Sequence, residues 1–489
     1  MIKEKIEYLS AYEIGERVNK GIYKAEEVLN YFISRIERIN PHINAFTYLK
    51  IDEALEAAKK VDQRIANNEY VGPFAGVPFV MKDFLPSKKG WTSSYGGVKC
   101  LIHVDSFDSE FTSAMEEMGG IAIGKTNAPS FGFKGLTDNK LYGITNNPFD
   151  IRYNAGGSSG GTASAIASGM IPIGEGGDAG GSIRIPSAWN NLYGFKASVG
   201  MIPNISRPDA WAASHPYCVN GGLTKSVKDT ALLLNKMVRY DPKDPLSIPK
   251  NNIDYVKEIE NYNLQGIRIA YTDDFDLFEV DEEIKNKIYQ HAKKLESLGA
   301  IVERVHFNFK HDVNDICSTW CHAISVDTAI DIINHQKEGF DLFEHEDELP
   351  EDFIIVNKEV IRSGIMDYYH FNVVRTDIYD QIENILKEYD YIISPTNIIK
   401  PVLNKGDVIK GPEMINGKAS NPLIGFATTL LTNFTGHPSA SIPAGILSDN
   451  MPVGLHVITH RFKDEDILRI SKAFEDIAPW NEYYKLAME

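Results

Sequence analysis

The sequence predicts an α/β protein: a single large domain with a central mixed β-sheet surrounded by helices. Three observations carry this. Between about residues 70 and 240, short apolar runs alternate with Gly-rich turns and small-residue helical stretches, the pattern of a sheet layered with helices. Residues 267–270 look like a buried strand and precede a helical repeat at Ile284, Ile288, Leu295 and Leu298, and another strand follows. No Gly/Ser- or Pro-rich linker, internal repeat or low-complexity tract interrupts the 489 residues, so 1–489 reads as one domain.

The elements follow in order. Ser10 and Glu13 predict a capping box for a first helix, and Gly21 stops it. Val28, Leu29, Phe32, Ile33 and Ile36 repeat at helical spacing until Asn40-Pro41 ends the second helix. A third helix covers about 52–67, before a loop at Gly72-Pro73. Residues 310–385 are expected to be mostly helical and irregular. They contain the acidic stretch Glu344–Asp352, read as a solvated loop although it includes His345. The strand Tyr391–Ser394 ends at Pro395 and opens a C-terminal sheet segment at about 388–460.

Composition narrows the function. Lys plus Arg number 50 against 67 Asp plus Glu, a net charge of −17, which argues against a general nucleic-acid partner. No run approaches 18 apolar residues, so no membrane span is expected. The N-terminus MIKEKIEYLS carries acids too early for a signal peptide. Four cysteines, Cys100, Cys218, Cys317 and Cys321, are too few for a disulfide framework and suit a reducing, cytoplasmic setting. The Cys317–Cys321 spacing has no companion Cys or His pair, and the 13 histidines form no H-E-x-x-H pattern. No metal and no cofactor are therefore expected. Cys317 and Cys321 read as packing or pocket-lining thiols.

Two motif matches fail on context. Gly119–Thr126, GGIAIGKT, fits the P-loop pattern, but Ile121–Ile123 is itself strand-like and Asn127-Ala128-Pro129 disfavours a helix opening there. Gly156–Gly160, GGSSG, fits the nucleophile elbow, but the preceding NPFDIRYNA is not a buried strand.

A different combination carries chemistry. GVPFVMKD places Lys82 and Asp83 at the end of an apolar run. Two Gly-Ser loops follow, AGGSSGG at 155–161 and GEGGDAGGS at 174–182, with IRIP after the second. Glycine lets a ligand approach the backbone closely. Lysine, then GGSSGG, then GGSIR, in that order, resembles the amidase signature family of serine hydrolases. Further resemblances run along nearly the whole chain: RIERINPHINAF, GKTN at 124–127, DYIISPT at 390–396, NFTGHPSASIPAG at 433–445 and MPVGLHVI at 451–458.

The resemblance implies the amidase signature fold and a Ser–cis-Ser–Lys unit. Its nucleophile falls on Ser182, its bridging serine on Ser158 and its lysine on Lys82. Backbone N–H groups of Ala179, Gly180 and Gly181, with Ser182, become the implied oxyanion hole. Gly157, Ser159, Asp178 and Arg184 support the site, the last two as a structural ion pair. The departures, Pro129-Ser130, Asn190-Asn191, Gly222 and the GLH of 454–456, touch none of the three and bear on substrate choice.

The implied reaction is hydrolysis of a linear carboxylic amide through a Ser182 acyl-enzyme. Cys321, in STWC, is a candidate substrate contact. The expected partner is a small-molecule amide, and dimers are frequent in such enzymes, which admits a homodimer. Two other readings remain: a cyclic or oligomeric amide hydrolase, and the glutamine-hydrolysing subunit of a tRNA-dependent amidotransferase. The second would need an Arg-rich recognition segment that 350–385 lacks, Arg362 apart.

Overall fold

Ser10 opens the first helix, Ala11–Asn19. Its hydroxyl accepts the Glu13 N–H at 3.2 Å, and the Glu13 carboxylate accepts the Ser10 N–H at 2.8 Å. The second helix differs from expectation: it spans Ala25–Ile43 and passes through Pro41. A proline in the final turn removes only one intrahelical N–H bond. The chain instead stops at Asn44, in the left-handed conformation at φ 58°. Asn40 Oδ1 accepts the next two N–H groups, of Ala45 and Phe46, at 2.7 and 3.2 Å. The third helix is Ile51–Ala66. The computed structural model describes residues 2, 4–84, 87–207, 209–249, 252–406 and 409–487.

Eleven strands form one sheet. They are β1 Phe46–Leu49, β2 Pro78–Lys82, β3 Ile121–Thr126, β4 Ile173–Asp178, β5 Tyr193–Lys196, β6 Val219–Thr224, β7 Arg268–Tyr271, β8 Ile301–Arg304, β9 Tyr391–Pro395, β10 Ser439–Ile446 and β11 Pro452–Thr459. Their order across the sheet is β1-β3-β2-β4-β6-β5-β10-β11-β9-β7-β8. β3, β2 and β4 run parallel, as do β9, β7 and β8. The pairs from β4 to β9 are antiparallel, and β1 lies antiparallel on β3. The fold is thus one large mixed α/β domain, as the alternation of elements predicts. GKT of GGIAIGKT lies inside β3, so no phosphate loop exists there.

This topology fixes where chemistry can occur. β2 and β4 are parallel neighbours, with Phe79 opposite Ile173 and Val80 opposite Gly174. Their carboxyl ends, Lys82 and Asp178, therefore leave the sheet on the same side, where α/β sheets hold their ligands. The helix Gly160–Ala167 is buried along its whole length, which its small side chains permit. Helices Val313–Lys337, Glu351–Arg362 and Ile365–Leu386 form a cover over this side. The acidic stretch is not a free loop: most of it folds as the 3-10 turn Leu342–Glu348, between buried Leu342 and Leu349. Among the described residues no helix is long and apolar enough to cross a membrane. All four cysteines are free thiols.

Candidate active site

Every residue of β2 is buried, so the strand carries Lys82 into the interior. Its Nζ donates to Ser158 Oγ at 2.6 Å. Burial pushes the Lys82 pKa down to about 8, against the weaker opposing pull of Cys218, Glu175 and Asp178. Asp83 is not part of this balance. Its Oδ1 and Oδ2 accept the Ser94 N–H and hydroxyl at 2.8 and 2.7 Å, on the opposite side of the strand end.

The Gly157–Ser158 peptide bond is cis. A side chain at 157 would place its Cβ 2.6 Å from the Leu136 carbonyl carbon, so only glycine fits. Gly132 and Phe84 flank the hydroxyl: a Cβ at 132 would come within 3.2 Å of Ser158 Oγ, and the Phe84 ring centre lies 5.0 Å from Lys82 Nζ. The Ser159 N–H donates to the Ser182 carbonyl at 3.2 Å and ties the two Gly-Ser loops together. Lys82 and Ser158 are buried, whereas Ser182 is partly exposed.

The loop carrying Ser182 is braced by buried polar groups. Arg184 Nε and Nη2 donate to Asp178 Oδ2 and Oδ1 at 2.9 and 2.7 Å. Burial alone would raise the Asp178 carboxyl, but the Arg184 guanidinium outweighs it and holds the pKa at about 2. Arg184 Nη1 donates to Thr432 Oγ1, Ser439 Oγ and His456 Nε2 at 2.6, 3.1 and 3.0 Å. Burial and the Arg184 charge hold His456 neutral. With Nε2 accepting, Nδ1 carries the proton and faces Thr428 Oγ1 at 3.2 Å. His456, the departure in GLH, is therefore part of the brace.

Carbonyl positions orient the loop's N–H groups, because each N–H points opposite the carbonyl of its own peptide plane. Asn433 Nδ2 holds the Asp178 carbonyl at 3.0 Å and Trp320 Nε1 holds that of Ala179 at 2.9 Å. The N–H groups of Ala179 and Gly180 consequently turn away from them. Thr429 Oγ1 holds the Gly180 carbonyl at 2.6 Å. Among the described residues, the N–H groups of Ala179, Gly180 and Ser182 have no protein acceptor. Gly181 behaves differently from its neighbours. Its N–H donates to Asp178 Oδ1 at 2.8 Å, its φ is +128°, and a Cβ there would lie 2.0 Å from Thr429 Oγ1.

Trp320, Thr429, Asn433 and His456 received no role from the sequence. Each lies more than a hundred residues from the loop it holds, and no local spacing announces such a contact. Cys321, next to Trp320, is buried and receives Asn421 Nδ2 at 3.9 Å. Burial pushes its thiol up to about 12, and that of fully buried Cys317 well above its usual value. Cys218, unassigned from sequence, sits close enough to Lys82 for each to shift the other's titration.

Known proteins place this arrangement. The Amidase family model matches residues 27–468. A solved bacterial aryl acylamidase of the amidase signature enzymes is 36% identical, with a TM-score of 0.94 over 99% of both chains. An acylamidase of Rhodococcus erythropolis is 29% identical over 98% of both chains. A glutamyl-tRNA(Gln) amidotransferase subunit of Macrococcus caseolyticus is 31% identical, over 98% of this chain and 99% of its own. With the family model spanning most of its length, the chain belongs to the amidase family, hydrolases of carbon–nitrogen bonds.

Proposed function

We propose that the chain hydrolyses linear carboxylic amides through an acyl-enzyme on Ser182, with Ser158 as proton bridge and Lys82 as base and acid. The single observation that carries this reading is the 2.6 Å bond from Lys82 Nζ to Ser158 Oγ in a buried setting, one residue before Ser159, whose N–H donates to the Ser182 carbonyl. Neutral Lys82 takes a proton from Ser158 as Ser158 takes one from Ser182. The Ser182 alkoxide attacks the amide carbonyl, and the N–H groups of Ala179, Gly180 and Ser182 receive the oxyanion. Gly181 drops out of this role because Asp178 engages its N–H. Lys82 returns the proton through Ser158 to the leaving amine, and water then releases the carboxylate by the same relay.

Likeness to an acylamidase and an aryl acylamidase supports an N-acylated amine as substrate. Arg362, the available residue for a glutamine carboxylate, is exposed at the end of its helix, which weighs against the amidotransferase reading. The sparse, unpaired thiols suit the cytoplasm. A panel of anilides, N-alkyl amides, cyclic amides and glutamine, with products read by mass, tests this. Highest kcat/KM on an N-acyl arylamine or alkylamine is expected. Preference for glutamine, or for a cyclic amide, would replace the reading with one of its alternatives.

A further inference from the structure

We propose that Cys100, His345 and Glu348 form a zinc site that fastens the cover to the catalytic core. One ligand atom from each residue lies within 4.8 Å of the other two, and all three residues are half-buried. The sequence alone led to no metal and to a solvated His345. Folding alters that by bringing together two short turns that are 241 positions apart at their nearest ends, Lys99–Leu101 and Leu342–Glu348.

The turn geometry suits ligation. The Leu342–Glu348 turn kinks at His345, whose φ of −115° and ψ of 32° leave the helical range, and the kinked turn brings the His345 and Glu348 ligand atoms within 4.8 Å of each other and of the Cys100 sulfur. Glu348 is already oriented, since its Oε2 accepts the Cys100 backbone N–H at 2.7 Å. The same carboxylate also hydrogen-bonds the Cys100 thiol, so these two ligand side chains already face each other. The His345 ring stacks on Phe340 at 5.4 Å, with 21° between planes, which fixes its plane. Such support from outside the ligand set is what holds ligands in place in metal sites.

The chemistry selects the ion. A thiolate, an imidazole and a carboxylate are borderline-soft donors, the set zinc takes, with water completing the tetrahedron. Binding forms a Zn–S bond and releases the Cys100 thiol proton to solvent. Glu344, Glu346 and Asp347 lie in the turn, against two ammonium groups, Lys358 on the Glu346 carboxylate and Lys140 on the Glu346 carbonyl, so the acidic groups outnumber the cations beside the site.

The site's position gives it a structural role. Just beyond the turn, Phe353 stacks on Phe131 at 4.6 Å, next to Gly132 behind Ser158. Zinc would pin this aromatic wall without entering the hydrolysis.

The test uses the full chain, stripped by a chelator and titrated with Zn²⁺ against a chromophoric competitor, with Co²⁺ as spectroscopic reporter. One equivalent of submicromolar zinc is expected, with a near-ultraviolet thiolate-to-cobalt band and a zinc-dependent rise in Tm. Cys100→Ser should abolish the band. Cys100→Ser, His345→Gln and Glu348→Gln should each weaken zinc binding by at least about tenfold, while Cys317→Ser should not. Failure of the intact chain to bind zinc submicromolarly, or a band surviving Cys100→Ser, would overturn the site. Should Cys100→Ser fail to fold, His345→Gln decides: unchanged zinc affinity there overturns it equally.

Discussion

The Ser182 loop and the helical cover above it are built on opposite terms. In the loop, Asp178 and Arg184 are fully buried and every hydrogen-bonding nitrogen of the guanidinium has a named partner. In the cover, Ile365 is 82% exposed, Met366 69% and Tyr369 62%. The loop holds its N–H groups by fixing carbonyls from distant elements, so displacement of any one support shifts those N–H groups. The cover supplies one of those supports, Trp320 on the Ala179 carbonyl, but its Ile365–Tyr369 end projects to solvent. The difference teaches that the Ser182 loop is fixed from several distant elements, whereas this end of the cover is not.

Substitutions ranked by effect sharpen this contrast. Arg184→Met leaves Asp178 buried without its cation, and removing one partner of a buried ion pair costs about 3–5 kcal/mol. Denaturant unfolding should show that loss, together with loss of turnover. Near-native stability would mean that the brace is dispensable. Trp320→Phe removes one hydrogen bond, to the Ala179 carbonyl, and should cost about 1 kcal/mol. That is about fivefold in kcat/KM with Tm little changed, and an effect on stability alone would deny Trp320 its positioning role. Tyr369→Ala, on the exposed cover, should change stability by no more than about 0.5 kcal/mol. A larger loss would show that the cover is held as tightly as the loop.

Much of this was legible in the sequence, and the reasons differ by element. The Ser10–Glu13 cap and the helix expected over Ile284–Leu298 are local patterns that survive folding, the latter as the α-helix Glu282–Lys294 with a 3-10 turn at Leu295–Leu298 before Gly299. Lys82, Ser158 and Ser182 were singled out through the family resemblance of the lysine strand and the two Gly-Ser loops, and the structure brings Lys82 onto Ser158 and ties the Ser158 loop to the Ser182 loop. Pro41 misled because a proline in a last turn costs little and Asn44 supplied the actual stop. Trp320, Thr429 and His456 escaped because their partners are brought to them only by the sheet order. Gly181 was grouped with its neighbours by the family resemblance, but its N–H is claimed by Asp178, a three-residue contact that no repeat reveals. The approach of Cys100 to His345 was equally invisible, since the two are distant in sequence.

The central claim is that Ser182 becomes the nucleophile through neutral Lys82. The most direct test is the rate of fluorophosphonate labelling as a function of pH, with the adduct mapped by peptide mass. Lys82 is uncharged above its depressed pKa of about 8, so the rate should rise with pH through an apparent pKa near that value. One adduct should form, on the peptide containing Ser182. A rate rising only near the ordinary lysine value of about 10.4, or an adduct on Ser158, would contradict the account.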